Sequence, residues 1–151
     1  MRKIGFALLL LSLFALAPRA HAAAFCAPGQ TDAAARALPA ALVPQSVKAF
    51  KLHGSPPAMV QKMTLMRCMD GKAYGCFIGA NLPCGPANKA TILPAAKPWC
   101  DKNPNAAFVP AYISGHDSLY RWRCRNGDPV HVGAPAALDA QGYFKAYWRR
   151  L

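Results

Sequence analysis

The chain has 151 residues, with 18 Lys and Arg against six acids, for a formal net charge of +12 and a pI near 9.8. That length allows a single domain. All six acids are aspartates, which excludes any glutamate-based acid–base pair of the glycosidase kind. Few acids amid abundant Ala and Pro also disfavour long, charge-laced surface helices.

In chain order, Arg2 and Lys3 precede an apolar run from Ile4 to Ala17, and Ala20-His21-Ala22 has the small-x-small pattern of a signal-peptidase site. Residues 1–22 are read as a cleaved signal peptide, because the run falls short of the ~18 residues that span a bilayer. Phe25 rather than a small residue precedes Cys26, which speaks against a lipoprotein anchor. The expected mature chain is periplasmic or secreted, with no membrane span. Cleavage removes Arg2, Lys3 and Arg19 but no acid, so about +9 of the +12 remains. Outside the cytoplasm such charge points to an anionic envelope component or an acidic protein as partner, rather than nucleic acid.

Cys26, Cys68, Cys76, Cys84, Cys100 and Cys124 all lie in the mature part. In an oxidising compartment an even set predicts three disulfides. No C-x-x-C pair is present, so no metal site is expected, and no cofactor motif is found.

Residues 23–57 form an Ala/Pro-rich segment, expected to be peripheral and partly mobile, in which Thr31 or Asp32 would cap a short helix ending near Pro39 or Pro44. Residues 58–151 are read as one disulfide-stabilised domain. Met66-Arg67-Cys68-Met69-Asp70-Gly71 and Trp122-Arg123-Cys124-Arg125-Asn126-Gly127 share the pattern apolar-Arg-Cys-x-(Asp/Asn)-Gly. Asp-Gly and Asn-Gly favour type I′ turns, so two hairpins are predicted, over 60–78 and 118–133. Two-residue turns set Cys68 opposite Ala73, Leu65 opposite Cys76, Cys124 opposite Pro129 and Trp122 opposite His131. Pro129 then requires an edge strand. Cys68 and Cys76 fall on opposite faces, which excludes a bond between them but leaves the other connectivities open.

Asn81 to Gly85 is turn chemistry, and Ala95 to Lys102 predicts one or two helical turns. Phe108 to Ser114 is read as a strand. The segment 142–151 is read as a closing strand with Phe144, Ala146 and Trp148 on one face. The expectation is a small antiparallel α+β fold built from two hairpins and a C-terminal strand, with one or two short helices; a mainly β barrel or sandwich is the alternative.

On 119–125, Tyr120, Trp122 and Cys124 alternate with Arg121, Arg123 and Arg125. The arginine face is either a solvated surface partly paired by Asp117 and Asp128, or an anion-binding stripe about 13 Å long, extended by Arg67 and Lys72. Ser114-Gly115-His116-Asp117 is read as turn punctuation, because catalytic triads assemble from separate elements. No catalytic residue is assigned, and His131 is expected to pack on Trp122. The elements R-C-x-D-G at Arg67, Ile78-Gly-Ala-Asn-Leu-Pro-Cys84-Gly85, Trp99-Cys100 and Tyr120-x-Trp-x-Cys124-x-Asn-Gly127 resemble a group of small uncharacterised exported bacterial proteins with cysteines, over about residues 66–127. The resemblance implies no function. The shorter Tyr-x-x-x-Cys-x-x-Gly element is similar to strands of periplasmic lysozyme inhibitors. The functional expectation is an exported non-enzymatic binding domain of the cell envelope. The alternative is an inhibitor of a secreted hydrolase that presents the Asn81–Gly85 turn.

Overall fold

Asp70 and Gly71 take φ of 50° and 70°, and Asn126 and Gly127 take 50° and 85°. Positive φ at both central residues is what a type I′ turn demands, and it matches the twist of the strands it joins. A computed structural model describes residues 25–79 and 82–151; the leader read in residues 1–22 lies outside them. Strands β2 (Thr64–Met69) and β3 (Lys72–Phe77) form the first hairpin. Strands β4 (Arg121–Arg125) and β5 (Asp128–Val132) form the second. The registers are those expected: Cys68 faces Ala73 and Leu65 faces Cys76, while Cys124 faces Pro129 and Trp122 faces His131. Among the described residues β5 pairs only with β4, so Pro129 lies on an edge strand, where its missing donor is tolerated.

The first hairpin grows into a four-stranded antiparallel sheet in the order β1-β2-β3-β6, with β1 at Arg36–Ala37 and β6 at Arg149–Arg150. Both faces of this sheet are covered. Met66, Cys68 and Ala73 pack with Cys26, Leu38, Leu42, Val43 and Val60 on one side. Cys76 packs with Cys84, Tyr143 and Trp148 on the other. A third core surrounds the second hairpin, where Trp122 and Cys124 meet Ala96, Cys100 and Val109. Each core holds one disulfide: Cys26–Cys68, Cys76–Cys84 and Cys100–Cys124. Three bridges belong to an oxidising compartment, and no described helix is long and apolar enough to cross a membrane. The fold is α+β, not a barrel or sandwich.

More helix forms than the sequence suggested. α1 (Val43–Phe50) and α2 (Pro57–Met63) carry Pro44 and Pro57 in their first turns, where a fixed φ and a missing N–H are well suited. α1 ends at Lys51, in the left-handed region (φ 56°, ψ 40°). The buried Ser46 and Thr64 hydroxyls, 3.0 Å apart, tie α1 to the start of β2. A 3₁₀ turn at Pro94–Ala96 leads into α3 (Lys97–Lys102), as expected for 95–102.

Four local expectations are corrected. Thr31 and Asp32 cap no helix. Thr31 Oγ1 accepts the Asp70 N–H at 3.1 Å and Asp32 Oδ2 accepts the Cys68 N–H at 2.8 Å, so their oxygens serve the hairpin tip instead. The segment before Pro57 supplies Cys26, Leu38, Leu42 and Val43 to the core rather than lying at the periphery. Phe108 to Ser114 is no strand: only Val109 donates to β4, at Trp122 O, and α4 (Ala111–Ser114) follows Pro110 as one helical turn. At the C-terminus a 3₁₀ turn at Lys145–Tyr147 breaks the alternation, leaving Ala146 exposed while Phe144 and Trp148 are buried. Strand pairing with β3 is confined to Arg149 and Arg150, with Leu151 N–H adding a bond to Ala73 O.

The shared hairpin pattern extends to the chain that crosses each tip. Gly71 N–H donates to Gln30 O, and Gly127 N–H to Pro104 O, both at 2.9 Å. Asp70 N–H bonds the Thr31 hydroxyl, and Asn126 N–H bonds the Asn105 side chain, both at 3.1 Å. Cys68 N–H goes to Asp32 Oδ2 and Cys124 N–H to Ala106 O. Gln30, Thr31 and Asp32 follow Cys26 at the same offsets as Pro104, Asn105 and Ala106 follow Cys100. Each of those cysteines bonds the cysteine of its own hairpin. The two halves are structural repeats.

Candidate binding face of the second hairpin

Alternation along β4 buries Trp122 and Cys124 and turns Arg121, Arg123 and Arg125 to the opposite face. Across from them on β5 stand Val132, Val130 and Asp128. Arg121 and Arg125 are exposed. Arg123 is half-buried, and its Nε is buried with no hydrogen-bond partner among the described residues. A guanidinium nitrogen held out of water without an acceptor is costly, and an incoming anion would relieve that cost.

Neither Asp117 nor Asp128 neutralises the row. The Asp128 carboxylate lies 3.5 Å from Lys97 Nζ, and Lys97 also binds Asp101. The hydrogen bond from Lys97 to Asp101, together with the charges of Asp101 and Asp128, raises the lysine pKa. Among the described residues no ion pair involves any of the three arginines.

Arg67 and Lys72 do not extend the row, because both belong to the other sheet. Lys72 is exposed there. Arg67 is 0% exposed. Its Nη1 donates to Asp139 Oδ2 at 2.7 Å, Nε and Nη2 donate to Asp32 O, and Nη2 also reaches Gln141 Oε1 at 3.3 Å. Its Cζ lies 3.8 Å from the Tyr143 ring centroid and 5.1 Å from that of Trp148. Arg67 is therefore a buried structural cation. The strand sequence carried a sign of this: Leu65 and Met66 flank it with no polar alternation, the mark of a strand covered on both faces. Burial raises the pKa of Asp139, but the Tyr143 and Gln141 N–H bonds and Arg67 outweigh it and hold the carboxyl below its usual range.

Where the row ends at Arg121, a surface cleft of about 700 Å³ opens, walled by Phe108, Tyr112, Tyr120, Trp122 and Tyr147, with His116 at its rim. Phe108 is 67% exposed and Tyr112 76%. The Trp122 edge is fixed by its Nε1 donating to Ser118 Oγ at 2.8 Å. His131 packs between Tyr120, at 4.6 Å between centroids, and Trp122, edge-on at 5.8 Å. Ser114 Oγ donates to Pro110 O, not to His116, so Ser114, His116 and Asp117 form no hydrogen-bonded relay. Among the described residues no three His, Cys, Asp or Glu side chains are placed to hold a metal ion. In the Asn81–Gly85 turn, Asn81 lies outside the described residues, Leu82 is exposed and Cys84 is buried in its bridge to Cys76. No protein-family model, curated protein or solved structure matches the chain.

Proposed function

We propose that this protein is an exported, non-enzymatic binding domain of the cell envelope whose second hairpin takes an anionic partner. The observation that carries this reading is the β4 row itself: three arginines on one strand face and, among the described residues, no carboxylate paired with any of them and no acceptor for the buried Arg123 Nε. Such a row offers planar donors at intervals suited to successive carboxylates or phosphates. The aromatic cleft that begins at Arg121 adds apolar contact area beside the charge.

The test uses an Arg121→Gln/Arg123→Gln/Arg125→Gln variant, checked for native near-UV dichroism, with poly-glutamate, phosphatidylglycerol vesicles and an anionic glycan as probes. The parent is expected to bind at least one probe, with affinity falling steeply as salt shortens the Debye length below about 8 Å. The folded variant is expected to lose about tenfold or more in affinity. Equal binding by parent and variant, with equal salt dependence, sinks the reading.

A second reading, inhibition of a secreted hydrolase, is favoured by one observation. The Cys76–Cys84 bridge tethers the two ends of a short loop and Leu82 within it is exposed, an apolar side chain available to an enzyme cleft. Titration against lysozymes and proteases tests it, and Leu82→Asp is expected to abolish any inhibition seen.

A further inference from the structure

The two hairpins are equivalent in backbone and tip, but only the first has its arginine face closed by the chain itself. There Asp139 Oδ2 meets Arg67 at 2.7 Å, the Tyr143 and Trp148 rings stack about the guanidinium, and β6 adds to the free edge of β3 through Tyr74 and Gly75. Tyr74 stands opposite Arg67 as Val130 stands opposite Arg123. By that correspondence Val130 and His131 are the positions where an added strand would pair, yet among the described residues no strand pairs with the outer edge of β5. Pro129 is no obstacle. Its counterpart Ala73 contributes only its carbonyl, which accepts the Leu151 N–H at 2.9 Å, and proline keeps that acceptor.

The two arginines differ in the acceptors beside them. In the first repeat the Asp32 side chain takes the Cys68 N–H, leaving the Asp32 carbonyl for Arg67 Nε and Nη2. In the second repeat Ala106 stands in the place of Asp32, has no carboxylate, and receives the Cys124 N–H on its carbonyl instead. Among the described residues Arg123 Nε has no acceptor. Flanking residues differ in the same direction: Leu65 and Met69 beside Arg67 become Arg121 and Arg125 beside Arg123. The second face asks for more negative charge than the first.

We infer that the Arg123 face and the free edge of β5 receive a peptide segment of a partner protein. That segment carries a carboxylate for Arg123 and an aromatic ring four residues on, held by a turn like the one in which Asp139 N–H donates to Tyr143 O and Tyr143 N–H to Asp139 Oδ1, followed by a short strand for the β5 edge as β6 follows Tyr143. The docking is strand addition with side-chain specificity: main-chain bonds at the Pro129 carbonyl and at His131, whose backbone groups point away from β4, a charge-assisted bond to Arg123, and further acidic residues against Arg121 and Arg125. The inference rests on the anion-binding reading and narrows it to one chemistry, an acidic and aromatic polypeptide in place of a glycan or lipid surface.

The first hairpin supplies the probe. A labelled synthetic peptide reproducing residues 137–151, with Lys145→Glu, Arg149→Thr and Arg150→Thr to remove its own cations, is titrated into the oxidised full protein. A second peptide adds Asp139→Asn, and an anionic glycan and phosphatidylglycerol vesicles are titrated in parallel. The first peptide is expected to bind, with amide shifts at Val130 to Val132. About tenfold or more of that affinity is expected to be lost both with the Asp139→Asn peptide and with an Arg123→Gln protein that retains native near-UV dichroism. An Arg123→Lys variant, which keeps the charge without the planar fork, is expected to fall between them. Arginine-dependent binding of glycan or vesicles with no peptide binding overturns this inference while sustaining the broader reading. Binding of no probe sinks both, and peptide binding indifferent to Arg123 sinks the inference alone.

Discussion

A fully buried guanidinium beside Asp139 makes Arg67 a residue whose loss the fold feels at once. Breaking a buried pair by removing one partner leaves an uncompensated charge, typically at a cost of about 3 to 5 kcal/mol. Asp139→Asn is expected to lower unfolding free energy by roughly 3 kcal/mol, measured by urea denaturation, since the amide keeps the shape but not the charge. The same carboxyl, with Asp32, gives the protein an acid limit. Both pKa values are opposed by burial and lowered on balance, Asp32 by the Cys68 N–H, Gln30, Arg36 and Arg67, Asp139 by Tyr143, Arg67 and Gln141. A folded pKa below the unfolded one means that the unfolded chain binds more protons as pH falls, so the stabilisation is complete above the unfolded value near 3.9 and lost below it. Parent stability is therefore expected to decline as pH falls through about 4 and below, and Asp139→Asn to show a shallower decline over that window. Parallel curves for the two proteins contradict this account.

At the scale of elements, the two tips are alike in turn type but not in what crowds them. A side chain on Gly71 meets Gly29 N at 2.9 Å and Ala27 O at 3.1 Å, whereas one on Gly127 meets nothing nearer than Asp101 Oδ1 at 3.5 Å. Both positions carry positive φ, so alanine costs about 1 to 2 kcal/mol at either for the backbone alone. Gly71→Ala adds displacement of a backbone segment, and its total is expected to exceed that of Gly127→Ala by about 1 to 3 kcal/mol in thermal or urea unfolding. Equal losses would show that the 26–32 segment yields freely. These hairpins were legible because turn chemistry is local: Asp70-Gly71 and Asn126-Gly127 determine both register and the facing of each cysteine. Strand alternation likewise disclosed Arg121, Arg123 and Arg125. The rest depended on distance along the chain. Thr31 and Asp32 look like helix caps, but the donors they meet, on Asp70 and Cys68, lie 39 and 36 residues away. Arg67 looks like a surface arginine until Asp139, 72 residues on, is folded against it. No periodicity within a window of ordinary length carries that information.

For the whole molecule, each disulfide serves a separate core, and the three close loops of very different size: 42 residues for Cys26–Cys68, 24 for Cys100–Cys124 and eight for Cys76–Cys84. The first two hold a crossing segment over the tip of each repeat, where three hydrogen bonds accompany the bridge. The third lies on the far face of the first sheet, beneath Tyr143 and Trp148. Chain-entropy arguments assign about 4 kcal/mol to the longest loop, about 3.5 to the middle one and about 2.5 to the shortest. Replacing Cys26 and Cys68 together by serine is thus expected to lower Tm most, because it also releases Leu38, Leu42 and Val43 from the first core. Replacing Cys76 and Cys84 is expected to lower it least and to leave the β4 arginine face able to bind. The parent should show no free thiol, with a mass increase of about six protons on reduction, and the Tm of the three paired variants should follow loop length. If the Cys76/Cys84 variant proves the least stable, the far face, with its buried Arg67 cation, is the keystone of the fold, and the repeat architecture is secondary to it.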